Sequence, residues 1–182
     1  MKPGAYTLST MSVLIGRKPL SLAISLSIPL LGGFISGLAT QPNIKPWYEK
    51  LKKPFWNPPK RAFGPVWTFL YAAMGYASFR VYDVISDNPS IDPTIPLSLY
   101  AVQLGLNFAW SPVFFGLRSP GAALPIIFGL LGSVTATTIE FFKIDEIAGY
   151  LMVPYIAWLT YASTLNVYIW LYNPSKSDSK KA

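Results

Sequence analysis

Five long stretches of this chain carry no charged residue, and that feature narrows what it can fold into more than any other. They run over residues 19–39, 63–79, 96–117, 121–139 and 147–172. A helix rising about 1.5 Å per residue needs roughly 20 apolar residues to cross ~30 Å of hydrocarbon. The lengths predict an all-α membrane protein, a bundle of five transmembrane helices. Residues 1–18 read as a flexible N-terminal extension, 19–173 as the helical domain and 174–182 as a basic flexible tail. Short links between the later spans predict antiparallel neighbours. Pro29, Pro112, Pro125 and Pro154 predict kinks, with neighbouring helices and hydroxyls satisfying the freed carbonyls. A second reading of the start is a secretory signal peptide: Arg17-Lys18, an apolar run, then small residues near Gly37-Leu38-Ala39. The run is long for that purpose.

The rest of the composition closes off other classes. Mean hydropathy is +0.37, and charged residues make up 13% of the chain. Net charge is +7, but the basic residues lie between apolar stretches and not on one soluble face. They fit a collar facing anionic lipid better than a nucleic-acid surface. With no Cys there is no disulfide, thiolate nucleophile or cysteine metal site. With no His the commonest metal ligand and general base is missing, and no metal site is expected. No Lys lies in the last span, which excludes a retinal Schiff base there. Five unequal spans form no pair of inverted halves, which argues against a secondary transporter. Glu140, Asp145 and Glu146 sit near a helix end and are expected to be solvated.

Charge also gives an orientation. Five spans put the termini on opposite sides. The side holding the N-terminus and the loops near 80–96 and 140–146 has five basic and six acidic residues. The side holding residues 40–62, Arg118 and the tail has ten basic and two acidic residues. The positive-inside rule places this second side, and the C-terminus, in the cytosol.

The longest connection, residues 40–61, holds five Pro, six basic residues and the large aromatics Trp47, Tyr48 and Trp56. Proline restricts the unfolded chain and so favours one loop shape. The pattern fits an interfacial anchor and a structured lid over the bundle alike. Inside the spans, Gln103, Asn107 and Ser111 share one helical face, flanked by Trp110. Trp158, Ala162, Leu165 and Asn166 form a similar stripe, and Trp67 lies close to the aromatic loop. Amides and Trp at such depth either tie helices together or wall a pocket for a flat apolar ligand. Gly33 and Gly37, and Ala101, Gly105 and Ala109, have the spacing of close helix contacts, within one bundle or between two copies.

Several blocks follow one another in a recognisable order. They are Trp47-Tyr48, Lys53-Pro-Phe-Trp-Asn-Pro-Pro59, Phe63-Gly-Pro-Val-Trp-Thr68, Met74-Gly-Tyr-Ala-Ser78, Leu106-Asn107, Trp110-Ser-Pro-Val-Phe-Phe-Gly116, Pro154-Tyr155, Ala157-Trp-Leu159 and Leu165-Asn166. The chain thereby resembles the translocator protein family (tryptophan-rich sensory proteins) from about residue 20 to residue 173. The resemblance implies five helices binding porphyrins, cholesterol and drug-like ligands in a cavity capped by the first loop. It implies a lining of Trp47, Trp67, Asn107, Trp110, Trp158, Ala162 and Leu165, with protoporphyrin IX or haem as ligand and no required cofactor. Trp67 and Trp158 match residues tied, in bacterial relatives, to light-dependent porphyrin breakdown; no other catalytic group is suggested. The resemblance further implies a homodimer, often through the third helix. It points to the mitochondrial outer membrane for a eukaryotic member, or to secretory membranes as for some plant relatives. Leu171 stands where animal members end a sterol motif on a basic residue, and a shifted pattern of Val167, Tyr172 and Lys176 remains.

The expected function is a membrane receptor or carrier for tetrapyrroles, and second for sterols, in tetrapyrrole or lipid handling and stress response. Light-dependent porphyrin degradation, which would make it an enzyme, and a structural role in a membrane transport complex are the alternatives.

Overall fold

The computed structural model describes residues 8–44 and 46–173, with side chains from Lys18 onward, Ala39 apart. The expected basic tail, Lys176 included, lies outside the described residues. Five long helices follow one another: α1 (Leu8–Ile44), α2 (Lys60–Asp87), α3 (Thr94–Ser111), α4 (Pro120–Ile144) and α5 (Glu146–Tyr172). Among the described residues, every other regular element is also helical. A single 3-10 turn, Tyr48–Lys50, sits in the first loop, and a π turn, Pro112–Gly116, extends α3.

Local chemistry accounts for the ends. Ser119 caps α4, accepting the amide of Ala122, and Pro120 follows at the first helical position, where its missing N–H costs nothing. Asp145 caps α5 by accepting the amide of Ala148 at 2.7 Å. Of the prolines expected to bend helices, Pro112 is where the pitch changes. It has no N–H for the helical ladder, and the turn re-forms one residue wider, with the Leu117 amide donating to the Pro112 carbonyl at 2.9 Å. Helical assignment continues through Pro29, Pro125 and Pro154. α1 starts at Leu8, ahead of the residue 19 at which the charge-free run begins. Arg and Lys are good helix formers, so a charge ends an apolar run without ending a helix.

The helices form a ring. α1 packs on α2, α2 on α5, α5 on α4, α4 on α3, and α3 with its π turn returns to α1. Met74, Ala77, Val81, Val134, Phe141, Met152 and Tyr155 fill the half away from the first loop. Two glycines set the close approaches of α1 and α2. A side chain on Gly75 would meet the Ser25 carbonyl at 2.7 Å, and one on Gly33 would strike the Tyr71 ring. Gly33 thus packs within the chain, while Ala101, Gly105 and Ala109 face outward from α3.

At the end away from the first loop, acids and bases pair. Lys18 lies 2.9 Å from Asp83 and 3.5 Å from Asp87. Lys143 pairs with Glu140 at 2.7 Å. Arg80 holds Asp145 through two hydrogen bonds, of 3.0 and 2.7 Å. Asp145 and Glu140, expected to be solvated, are therefore engaged. Asp145 closes the tight α4–α5 junction against α2, and the Arg80 guanidinium holds its carboxyl below the usual carboxylate range despite partial burial.

The outer surface is apolar. Leu20, Ile24, Ile28, Leu31 and Ile35 are all exposed on α1. By length and composition, Lys18–Ile44 and Pro120–Ile144 qualify to cross a membrane. α2 carries charges at both ends, and α5 owes much of its apolar surface to Trp and Tyr, which hydropathy scales rank low.

A Trp-walled candidate site under the first loop

The half of the bundle nearest the first loop is hollow. All five helices contribute to the wall of a cavity of about 1200 Å³. Trp67, Asn107, Trp110, Trp158, Ala162 and Leu165 all line it. Trp47 does not. Its ring packs edge-on to Phe114 and Phe115, at 5.8 and 6.4 Å, in a small core behind the wall.

Helical spacing brings the wall together. Trp67 of α2 meets Trp158 of α5 edge to face at 6.3 Å and stacks on Tyr71, one turn along its own helix, at 5.4 Å. Phe63 lies 6.1 Å from Trp158. On the opposite side Trp110 stacks on Phe114 at 4.8 Å, and its indole N–H donates to Asn166 Oδ1 at 3.0 Å. The Asn166 amide in turn donates to the Pro120 carbonyl at 2.8 Å, tying α3, α4 and α5 together.

Asn107 is the polar centre. Its Oδ1 accepts the Tyr71 hydroxyl at 2.7 Å, and its Nδ2 donates to the Tyr155 hydroxyl. Gln103, one turn deeper on the same face of α3, is fully buried, and its Oε1 has no protein partner. The Trp158 indole N–H is also buried without a protein partner.

The first loop divides the two roles considered for it. Trp47 and Tyr48 fold inward over the bundle, while Phe55 and Trp56 face out. Lys53 stitches the turn, donating to the carbonyls of Tyr48, Glu49 and Leu51 at 2.8 to 3.0 Å. Lys53 gains no acidic hydrogen-bond partner there, and burial and the nearby Lys60 lower its pKa. The Tyr48 hydroxyl donates to Asn57 Oδ1 at 3.1 Å. Burial pushes that phenol up to about 12, so it stays a neutral donor. Two ties fasten the loop to α5: Tyr161 donates to the Trp56 carbonyl, and Asn173 exchanges hydrogen bonds with the Lys52 backbone at 2.8 and 3.0 Å. At the α3–α4 corner, Arg118 donates to Asn43 Oδ1 at 2.9 Å and anchors the end of α1.

Val167 and Tyr172 lie elsewhere. They line a groove of about 410 Å³ on the outer face of α4 and α5, beside Trp56 and Leu171. Lys176 is outside the described residues. Val167 and Tyr172 thus lie apart from the cavity. Among the described residues no cluster of three acidic side chains gathers that could hold a metal.

Sequence reasoning passed over Tyr71 and Tyr155 as site residues. Tyr71 is four residues after Trp67 and Tyr155 three before Trp158, so helical spacing carried the signal. It also passed over Glu49 and Lys60, which line the mouth and which no periodicity connects.

Comparison with known proteins gives the family. The chain is 38% identical over 154 residues to the translocator protein of Sus scrofa, covering 85% of this chain and 90% of that one. It is 40% identical over 142 residues to the translocator protein of Homo sapiens, covering 78% and 83%. It is 41% identical over 120 residues to the tryptophan-rich sensory protein of Cereibacter sphaeroides, covering 66% and 72%. The model of the TspO/MBR family matches residues 25–171. That match opens inside α1 and closes in the last turn of α5, so it takes in the whole ring of helices with its loop, and the chain belongs to the TspO/MBR family.

Proposed function

We propose that this protein is a membrane receptor or carrier that binds a tetrapyrrole, protoporphyrin or haem, in the Trp-walled cavity, with sterols as a second ligand class. The observation that carries the reading is the cavity itself. At about 1200 Å³ it exceeds the ~300–1,000 Å³ usual for small-molecule pockets, and its walls are flat aromatic faces. The tetrapyrroles that the resemblance implies have the matching shape: a broad, flat and apolar ring.

In this reading all five helices span the bilayer, for which the apolar outer surface is the support. The pairing of bases with acids away from the loop, and the excess of bases in the sequence around it, support a cytosolic loop and C-terminus. The mitochondrial outer membrane is the proposed setting if the organism is eukaryotic, with secretory membranes the other. A second copy would dock on the outward stripe of Ala101, Gly105 and Ala109.

The test is saturable quenching of Trp fluorescence by protoporphyrin in detergent. Trp67→Ala with Trp158→Ala should weaken binding at least about tenfold, as loss of two aromatic walls implies. Unchanged affinity in the double variant would overturn the assignment of the site.

A second reading, light-dependent porphyrin degradation, is favoured by the 6.3 Å contact of Trp67 with Trp158, which sets two oxidisable rings beside any bound sensitiser. It predicts faster bleaching of porphyrin with wild-type protein under light than in detergent alone. Equal rates would remove it.

A further inference from the structure

The cavity has an unusual charge distribution. Among the described residues that line it, only Glu49 and Lys60 are charged, and they are bonded to each other at the mouth. Glu49 belongs to the 3-10 turn of the loop, and Lys60 is the first residue of α2. Their ion pair therefore bridges the cover and the wall at the point where the cavity opens. Both side chains keep contact with water, at 59% exposure for Lys60 and 37% for Glu49. An exposed pair of this kind contributes little to stability and exchanges partners readily. Among the described residues the rest of the lining is aromatic, aliphatic, amide or hydroxyl, with no second cation.

We infer that Lys60 is the carboxylate-recognition residue of the cavity and that Glu49 is its internal competitor. The inference rests on the proposed binding of a flat apolar ligand in this cavity and names the polar chemistry of that ligand. An amphiphile whose apolar body enters between Trp67 and Trp158 leaves its acidic substituents at the mouth, where Lys60 is the cation they meet. A ligand carboxylate replaces Glu49 on Lys60. The ligand class is then an apolar ring system carrying peripheral carboxylates. Neutral relatives of the same shape bind without this contact. The arrangement gives Glu49 a second role: it keeps Lys60 paired while the cavity is empty, and so raises the affinity threshold for acids.

The experiment titrates the full-length protein in non-ionic detergent with protoporphyrin IX, which carries two carboxylates, and with its dimethyl ester, which carries none. Wild type, Lys60→Met, Lys60→Arg and Glu49→Gln are compared by Trp quenching. Lys60→Met should weaken the diacid about fivefold or more and leave the ester unchanged, as expected for one partly exposed charge contact. Glu49→Gln should tighten the diacid alone, and Lys60→Arg should retain wild-type selectivity. Added salt should weaken the diacid in wild type and have little effect in Lys60→Met. If Lys60→Met shifts both ligands equally, or neither, while the ester still binds, the inference fails and the cavity reading stands. If neither ligand binds the wild type, both fall.

Discussion

At the scale of single residues, Asn107 shows how the site is kept rigid while remaining hollow. Its amide is used on both sides, by the hydroxyls of Tyr71 from α2 and Tyr155 from α5, so three helices converge on one side chain. An amide held in this way in an apolar surrounding is costly to leave half-satisfied. Tyr155→Phe keeps the ring and removes the acceptor for Asn107 Nδ2. It should cost about 1–3 kcal/mol, or several degrees of melting temperature in detergent. A melting temperature within a degree of wild type would show that Asn107 finds another partner. Trp158→Phe makes the complementary change, because it shrinks the aromatic wall that faces Trp67 and removes only a buried N–H without a protein partner. It should weaken the ligand more than it alters the fold, read as quenching affinity against melting temperature.

At the scale of elements, the cavity depends on how α1 meets α2. The two helices touch closely where Gly75 lies against the α1 backbone, with Leu26 Cα at 3.0 Å from a would-be Cβ. Nothing flexible is there to move aside, so Gly75→Ala must push the helices apart. We expect a loss of about 1–3 kcal/mol from overpacking, measured as thermal unfolding, and weaker ligand binding because both helices line the cavity. Gly37→Ala is the control: a Cβ there meets open space and should change stability little. The contrast was not available from the Gly33-Gly37 spacing, since a small-residue motif states that a close approach is permitted but not which partner uses it. Ser119-Pro120 and Asp145 start α4 and α5 through contacts with neighbours in sequence, a local signal that the charge-free lengths did not use.

At the scale of the whole molecule, the two ends of the bundle differ in how they are held. The end away from the loop is closed by ion pairs, above all Arg80 with Asp145. The Asp145 carboxyl has a depressed pKa, first through the Arg80 hydrogen bond. A group depressed in the folded state contributes stability that is fully present above its unfolded value, about 3.9, and lost as pH falls toward the folded one. Asp145→Asn keeps the helix cap and removes the charge. The melting-temperature gap between wild type and this variant should stay constant from about pH 8 to 5 and close below about pH 4. A gap independent of pH down to 3 would mean that the pair contributes nothing through charge. The loop end is held differently, by backbone hydrogen bonds to Lys53 and Asn173 and by aromatic contacts, which leave a hollow beneath them.

What the sequence determined by itself was the kind of molecule: five helices, their order, which faces of α3 and α5 look inward, and the absence of His and Cys chemistry. These follow from apolar length, helical period and composition, which are properties of neighbours along the chain. The tertiary structure alone decided that Trp47 stands behind the cavity wall, that Asp145 is paired, that Val167 and Tyr172 lie on an outer groove, and that Glu49 meets Lys60 at the mouth. Each of these joins residues from different elements. Their meeting depends on the ring order of the helices and the fold of a proline-rich loop, and no local periodicity records either.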